Sequence, residues 1–246
     1  MDRDNVVMSR DFAPVFFDLE RTGHRAGDEI IRIGAINKDN IFCRYILPKN
    51  DIPAVASVLT GLRKVDGKLH LRGEVKETTT LKEALQDFLK YLRQFNKPVI
   101  MIGHNCLHLD CRFLLNSLRQ YRLLGQFTRI VQGFTDSVPL LKKYLPGRPS
   151  FNLKHLAVDI LSQNSNLETQ ETHTDATTLI HIFRKYKVTS SQIFKFSSSV
   201  KDVLKREDRR KIAKKDLLCA DSSRFKSAYY RLCAEKKTEQ GETSRV

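Results

Sequence analysis

Short apolar runs alternate with amphipathic stretches over the first 190 residues of the chain. Three runs, at Val15–Leu19, Ile30–Ile36 and Ile41–Leu47, are bounded by turn residues and predict consecutive strands. Apolar residues then recur at helical spacing from Leu81 to Leu92, and Val99–Ile102 predicts a fourth strand. The same spacing predicts four more helices, at Leu109–Leu123, Ser137–Tyr144, Leu153–Leu161 and Ala176–Tyr186. Strands followed by strand–helix alternation indicate an α/β sheet with helices on both faces.

The composition changes after Lys187, where a Ser- and Phe-containing stretch is followed by the basic run KREDRRKIAKK at 205–215. The last 56 residues hold 15 Lys and Arg against 8 Asp and Glu. We therefore divide the chain into an N-terminal segment, 1–12, an α/β domain, 13–188, and a basic helical C-terminal extension, 189–246. Two interpretations of the extension stay open: a solvated helix, or a segment that grips nucleic acid or directs nuclear import.

The net charge bounds the class of partner. The 43 Lys and Arg outnumber the 28 Asp and Glu, which gives +15 and makes a polyanion such as nucleic acid the leading partner. No apolar run approaches the roughly 18 residues of a membrane span, and the start MDRDNVVMSRDF has no apolar region of a signal peptide. The five cysteines form no Cys-x-x-Cys pair and indicate reduced thiols. We expect a nuclear or cytoplasmic protein that is neither secreted nor bound in a membrane.

Two acids stand in the otherwise apolar first strand. Asp18 and Glu20 are two positions apart in VFFDLE, so both side chains project from one face. Two like charges in a buried strand repel each other and are costly to desolvate, and a hard divalent cation removes both difficulties. The alternative is that the strand end emerges into solvent, where acids are ordinary.

Further acids follow at two later points of the chain. Asp110 comes after Gly103-His104-Asn105 at the end of the fourth strand, and Asp175 stands in ETHTDATTLIHIF. Each acid alone is explained as a helix-capping or dipole residue. Ligands bind at the carboxyl ends of strands in open α/β sheets, so the ordered set favours one shared site.

These motifs resemble those of the DEDD exonucleases, in the spacing of their TREX-like branch. The resemblance covers about residues 14–187 and also extends to the exonuclease-like group related to the C-terminal region of promyelocytic leukaemia protein. The matching motifs are DLERTG at 18–23 with DEIIRIGA at 28–35, GHN at 103–105 with Asp110, FTDS at 134–137, PGRPSF at 146–151 with SFNLKHLA at 150–157, and DATTLIHIF at 175–183.

What this resemblance implies is a ribonuclease-H-like mixed sheet flanked by helices, which carries two-metal 3′→5′ exonuclease chemistry. Two Mg²⁺ or Mn²⁺ ions would be held by four acids: Asp18, Glu20, Asp110 and Asp175. The residues implied to grip the terminal nucleotide are Leu19, Arg21, Thr22, His24, His104 and Asn105.

The chain departs from the family at the general base. Members of the DEDDh type place a histidine five residues before the last Asp, where this sequence has Gln170. His173 and Glu171 lie close by, and we favour His173 as the base in an active enzyme. The open alternatives are that Glu171 or no residue serves. General-base assistance is worth about 10²–10⁴ in rate, so losing it slows such an enzyme without abolishing its activity.

Three functions follow from this sequence. The first is a metal-dependent 3′→5′ exonuclease, with single-stranded DNA favoured over RNA as substrate. The second is a catalytically inactive module on the same fold that binds nucleic acid or another protein. The third is an endonuclease or a relative of ribonuclease H. Oligomeric state stays open, with a homodimer through the third strand, Ile41–Leu47, as one arrangement.

Overall fold

The computed structural model describes residues 8–25, 27–161 and 175–212. Across these residues, no helix has both the length and the apolar character needed to span a lipid bilayer. The chain divides into two compact units, Met1–Val203 and Leu204–Val246. The described part of the second unit, residues 204–212, is helical.

A mixed sheet forms the centre of the first unit. Seven described strands make it up, in the order β10-β9-β8-β1-β2-β3-β7. Their bounds are β1 Ala13–Arg21, β2 Ile30–Asn37, β3 Asn40–Ile46, β7 Thr78–Thr79, β8 Val99–Gly103, β9 Val131–Asp136 and β10 Ser197–Ser199. The first three strands form an antiparallel meander, while β8 is parallel to both β1 and β9. This arrangement puts the end of β1 next to the ends of β8 and β9, where the predicted motifs lie.

Helices cover the sheet. Their bounds in the described part of the chain are α1 Ala54–Thr60, α2 Leu81–Arg93, α3 Asp110–Gln120, α4 Leu124–Ile130, α5 Ser137–Tyr144, α6 Leu153–Leu161, α7 Asp175–Lys185 and α8 Ser190–Lys195, followed by a helix over 200–212. A capping box at Thr80 and Glu83 begins α2, and its apolar stripe packs on β3 through Phe88 and Phe42. On α7, Phe183 packs edge-on against Phe16 of β1, with ring centroids 5.2 Å apart. That contact packs the second half of α7 against the first half of β1.

A small second sheet lies between β3 and α2 in sequence. It consists of β4 Leu62–Val65, β5 Lys68–Leu71 and β6 Glu74–Lys76, all antiparallel. The hydrophobic pattern of the sequence does not predict these strands. Only Leu62 and Leu69 among their residues are fully buried, so β4 and β5 each bury one apolar side chain and β6 buries none.

The predicted mixed α/β sheet of ribonuclease-H type is confirmed, with two differences in detail. The helix predicted over Leu109–Leu123 ends at Gln120, because Arg122 takes a left-handed conformation (φ 58°) and α4 begins as a separate helix. The fifth long strand, β9, was not predicted as a strand; only the motif FTDS at 134–137, which overlaps its end, was identified. β10 pairs with β9, so residues 197–199 join the main sheet, and the division of the chain after residue 188 stays a prediction.

Candidate functional site

The carboxyl end of β1 carries the first pair of acids. Asp18 and Glu20 project from the same face of the strand, and the strand register shifts between Glu20 and Arg21. Gly34 lies opposite Asp18 on β2. A Cβ atom at Gly34 would stand 2.7 Å from Oδ1 of Asp18, so the missing side chain makes room for this carboxylate.

The loop between β8 and α3 brings the third acid. Asp110 occupies the first position of α3, and the loop before it is held by the carboxylate of Asp136 at the end of β9. Asp136 accepts hydrogen bonds from the backbone N–H groups of Asn105 (3.0 Å), Leu107 (3.3 Å) and Val138 (3.0 Å). The same carboxylate therefore caps α5 and fixes the loop that leads to Asp110.

The fourth acid, Asp175, is the first described residue after residue 161 and begins α7. It joins the other three around a cavity of about 170 Å³. The lining residues are Phe17, Asp18, Leu19, Glu20, Arg21, His104, Asp110 and Asp175. The fold thus gathers four carboxylates that are separated by as many as 157 positions in the sequence.

Two arginines neutralise part of this acidic cluster. Arg32 of β2 donates from one nitrogen, Nη2, to Oδ2 of Asp18 at 2.6 Å and to Oε1 of Glu20 at 3.3 Å. Arg21 forms an ion pair with Asp110. Arg32 is only 9% exposed, so its pairs are shielded from water.

Burial sets the protonation of the acids in the absence of bound ions. Desolvation raises the pKa of Glu20 and of Asp110 to about 7, against the lowering effect of Arg32 on Glu20 and of Arg21 on Asp110. Desolvation also raises the pKa of Asp18 and of Asp175, although Asp175 keeps an exposed edge. For Arg32, burial lowers the pKa, but the two carboxylates outweigh this effect and the net shift is upward.

The donor set fits a hard divalent cation. All four acids offer carboxylate oxygens, the ligands that Mg²⁺ and Mn²⁺ prefer. Among the described residues, Oδ1 of Asp18 is a buried oxygen without a hydrogen-bond partner, and it faces the space beside Gly34. No group of three or more described His, Cys, Asp or Glu side chains, however, is arranged so that it could hold one metal ion. Three of the four acids are paired with arginines, Asp18 and Glu20 with Arg32 and Asp110 with Arg21.

A larger cleft of about 690 Å³ adjoins the acidic cavity and shares His104 and Asp175 with it. Its walls include Lys142, Phe151 and Lys154, which offer two cationic groups and an aromatic ring. Nδ1 of His104 lies 2.8 Å from Oγ of Ser137, and burial lowers the pKa of this imidazole. Such walls are suited to a phosphate backbone with stacked bases.

The candidate residues named from the sequence fall into four groups. Seven of them line the acidic cavity together: Asp18, Leu19, Glu20, Arg21, His104, Asp110 and Asp175. Asn105 lies in the adjoining cleft, with a left-handed backbone (φ 55°). Thr22 and His24 line neither space: the Thr22 hydroxyl accepts from the N–H of Glu29, and His24 is exposed with its carbonyl bonded to Arg112. Gln170, Glu171 and His173 lie outside the described residues.

Arg32 contacts two of the four acids but is not among the predicted site residues. A signal was present, because an arginine interrupts the apolar run IIRIGA of a predicted buried strand. Its partner depends on the hairpin register, which places Arg32 directly opposite Glu20. The two lysines of the cleft, Lys142 and Lys154, carried no comparable signal, since each stands in an ordinary amphipathic helix.

Curated proteins of similar sequence include exuperantia of Drosophila and human protein PML. The chain is 25% identical over 159 residues to the maternal protein exuperantia of Drosophila virilis, which covers 60% of this chain and 33% of that protein. It is 27% identical over 153 residues to human protein PML, which covers 61% of this chain and 14% of PML. The chain therefore spans about a third or less of the length of these relatives.

Solved structures of similar fold include those of exonuclease I. A complex of SSB and exonuclease I with an inhibitor gives a TM-score of 0.53 at 17% identity, covering 74% of this chain and 43% of that one. Escherichia coli exonuclease I in complex with a dT13 oligonucleotide gives 0.52 at 16%, covering 74% and 42%. These likenesses confirm the exonuclease-type fold, and the relation to PML agrees with the resemblance seen in the motifs. The sequence profile of the Exuperantia RNase H-like domain matches residues 12–162, more than half of the chain, and this protein belongs to that family.

Proposed function

We propose that this protein is a divalent-metal-dependent 3′→5′ exonuclease that acts on single-stranded nucleic acid, with DNA favoured. One observation carries the proposal: four carboxylates from β1, α3 and α7 meet in one small cavity, and a buried oxygen of Asp18 there has no protein partner among the described residues. Acids whose pKa values are raised by burial cluster at functional sites. Asp18, Glu20, Asp110 and Asp175 are the residues that would hold the ions.

Bound divalent ions would supply activation of the attacking water and stabilisation of the leaving 3′ oxygen. The chain's own groups would position the substrate. Lys142 and Lys154 would neutralise phosphates in the adjoining cleft, and Phe151 would stack on a base. His104 lines both spaces and would contact the nucleotide between them. We keep His173 as the proposed general base, with Glu171 as the alternative.

The second candidate is a catalytically inactive module that binds nucleic acid through the same cleft. Two observations favour it. Arg32 and Arg21 already pair with three of the four acids, and Gln170 stands where DEDDh exonucleases have a histidine. The cleft with its two lysines would serve binding equally well in this case. The homodimer through β3 also stays a prediction; β7 pairs with this strand only at Tyr45 and Ile46.

The deciding experiment follows the shortening of single-stranded DNA and RNA labelled at either the 3′ or the 5′ end. Reactions contain Mg²⁺, Mn²⁺ or EDTA, and the wild type is compared with Asp175→Asn and with Asp51→Asn, an exposed acid outside the site. The exonuclease predicts metal-dependent removal of nucleotides from the 3′ end, lost in Asp175→Asn and retained in Asp51→Asn. Binding of the oligonucleotide without any shortening would instead establish the inactive module.

The same assay separates the candidates for the base. His173→Ala is expected to slow the reaction by about 10²–10⁴ if His173 accepts the proton from the attacking water. Glu171→Gln tests the alternative in parallel. Equal rates for both variants and the wild type would leave the reaction without a base from this segment.

A further inference from the structure

Arg32 pairs with Asp18 and Glu20, two of the four acids that are proposed to hold divalent ions. Its Nη2 nitrogen bridges the two carboxylates at 2.6 and 3.3 Å. At 9% exposure the guanidinium is enclosed by the acids and the sheet, so it is not presented to a phosphate in the cleft. Its role is therefore directed at the acids themselves.

The backbone determines this position. Arg32 is the register partner of Glu20 on the antiparallel neighbour β2, and directly opposed residues have Cβ atoms about 4.5–5.5 Å apart. Asp18 is the diagonal neighbour on the same face, and its own register partner is Gly34, which has no side chain to separate the two groups. On the other side of β2, the register partner of Arg32 is Tyr45 of β3.

The charges of the cavity point to competition. Four carboxylates and two guanidiniums leave a formal charge of −2 when all are ionised. One divalent ion would balance that charge, but an ion placed between Asp18 and Glu20 would stand next to the guanidinium of Arg32. Two cations a few ångströms apart in a poorly solvated site repel strongly. The ion and Arg32 thus need the same oxygens.

We propose that Arg32 is an internal competitor of the divalent cation, so that an ion binds Asp18 and Glu20 only when the guanidinium withdraws from them. The inference rests on the proposed function in that it concerns the same four acids. It adds that metal affinity is set by a residue that is not itself a ligand. Removing the guanidinium should therefore strengthen metal binding, whereas removing a residue that merely positions the acids would weaken it.

The test is a titration of the full chain with Mn²⁺, followed by electron paramagnetic resonance of the free ion. Arg32→Gln is expected to lower the dissociation constant at least tenfold relative to the wild type. The matched control is Arg44→Gln, which removes an arginine of the neighbouring strand β3 that is paired with Asp87 of α2, and it should leave the dissociation constant unchanged. Equal or weaker binding in Arg32→Gln, or no binding in either protein, would overturn the inference.

A second measurement uses the wild type, in case Arg32→Gln fails to fold with two unbalanced acids. The arginine Nε signals are followed by ¹H–¹⁵N NMR during addition of Mg²⁺, and that of Arg32 is assigned by its absence in Arg32→Lys. We expect the Arg32 signal to move as Mg²⁺ saturates and the Arg44 signal to stay. A stationary Arg32 signal at saturating Mg²⁺ would contradict competition.

The outcomes separate this inference from the proposed function. Tighter Mn²⁺ binding in Arg32→Gln without nucleotide release by the wild type would sustain the competition and refute the exonuclease. Nucleotide release by the wild type with unchanged Mn²⁺ affinity in Arg32→Gln would do the reverse.

Discussion

Gly34→Ala tests the site by adding one methyl group and changing no charge. The new Cβ would lie 2.7 Å from Oδ1 of Asp18, whereas non-bonded heavy atoms are comfortable at roughly 3.4 Å or more. The carboxylate must therefore move by about 0.7 Å, and its pair with Arg32 opposes that movement. Misplacement of a reacting group by about 1 Å costs on the order of 10²-fold in rate, so we expect nucleotide release to slow by about 10- to 100-fold.

Stability should change much less than activity. Overpacking a buried position costs about 1–3 kcal/mol, and the entropic gain of alanine over glycine in a strand offsets roughly 0.5–1 kcal/mol of it. Urea unfolding measures this change beside the rate of 3′-end shortening. Gly125→Ala on α4 is the control, because its Cβ meets no atom within 4 Å, and it should keep the full rate. A folded Gly34→Ala variant with the wild-type rate would refute the assignment of Asp18 to the reaction.

Three further perturbations have defined outcomes. Asp136→Ala removes the acceptor of three backbone N–H groups and should lower the free energy of unfolding by about 3 kcal/mol in urea titrations; an unchanged midpoint would contradict the anchoring of the loop. In metal-free buffer, folded Glu20 and Asp110 hold protons up to a pKa of about 7 that the unfolded chain loses near 4.5 and 3.8. The melting temperature should therefore fall as the pH rises from 5 to 8, and the fall should be shallower in Glu20→Gln. A melting temperature that rises over this range would refute the raised pKa values of Glu20 and Asp110. Lys154→Gln should weaken oligonucleotide binding in fluorescence anisotropy and reduce its salt dependence by about one phosphate contact; an unchanged salt slope would place the strand elsewhere.

The acids could be predicted from the sequence because their local context is unusual. Asp18 and Glu20 interrupt a buried strand, and Asp110 follows a strand end, so the position in the chain already limits where the side chains can lie. The apolar periodicity of α2 and the continuous run of β8 gave those elements directly. Strong local patterns of this kind survive folding because burial and hydrogen bonding favour the same assignment.

The pairing of Arg32 could not be predicted in the same way. It depends on which residue of β2 stands opposite Glu20, and the register shift after Glu20 is invisible in the pattern of residues. The small sheet of β4 to β6 was missed for a different reason. Its strands bury too few side chains for an alternating apolar pattern to emerge. Backbone pairing between neighbouring strands defines the sheet instead.

The anchoring of the site loop by Asp136 has a consequence for the order in which the protein forms. The backbone N–H of Asn105 donates to the carboxylate of Asp136, which lies 31 residues later in the chain. During synthesis, the stretch that carries His104 and Asp110 leaves the ribosome before its acceptor exists, so this loop cannot be fixed until β9 has joined β8. In a pulse-labelling hydrogen-exchange experiment, we expect the amides of Asn105 and Leu107 to become protected together with β9, after the β1–β2–β3 meander has already formed.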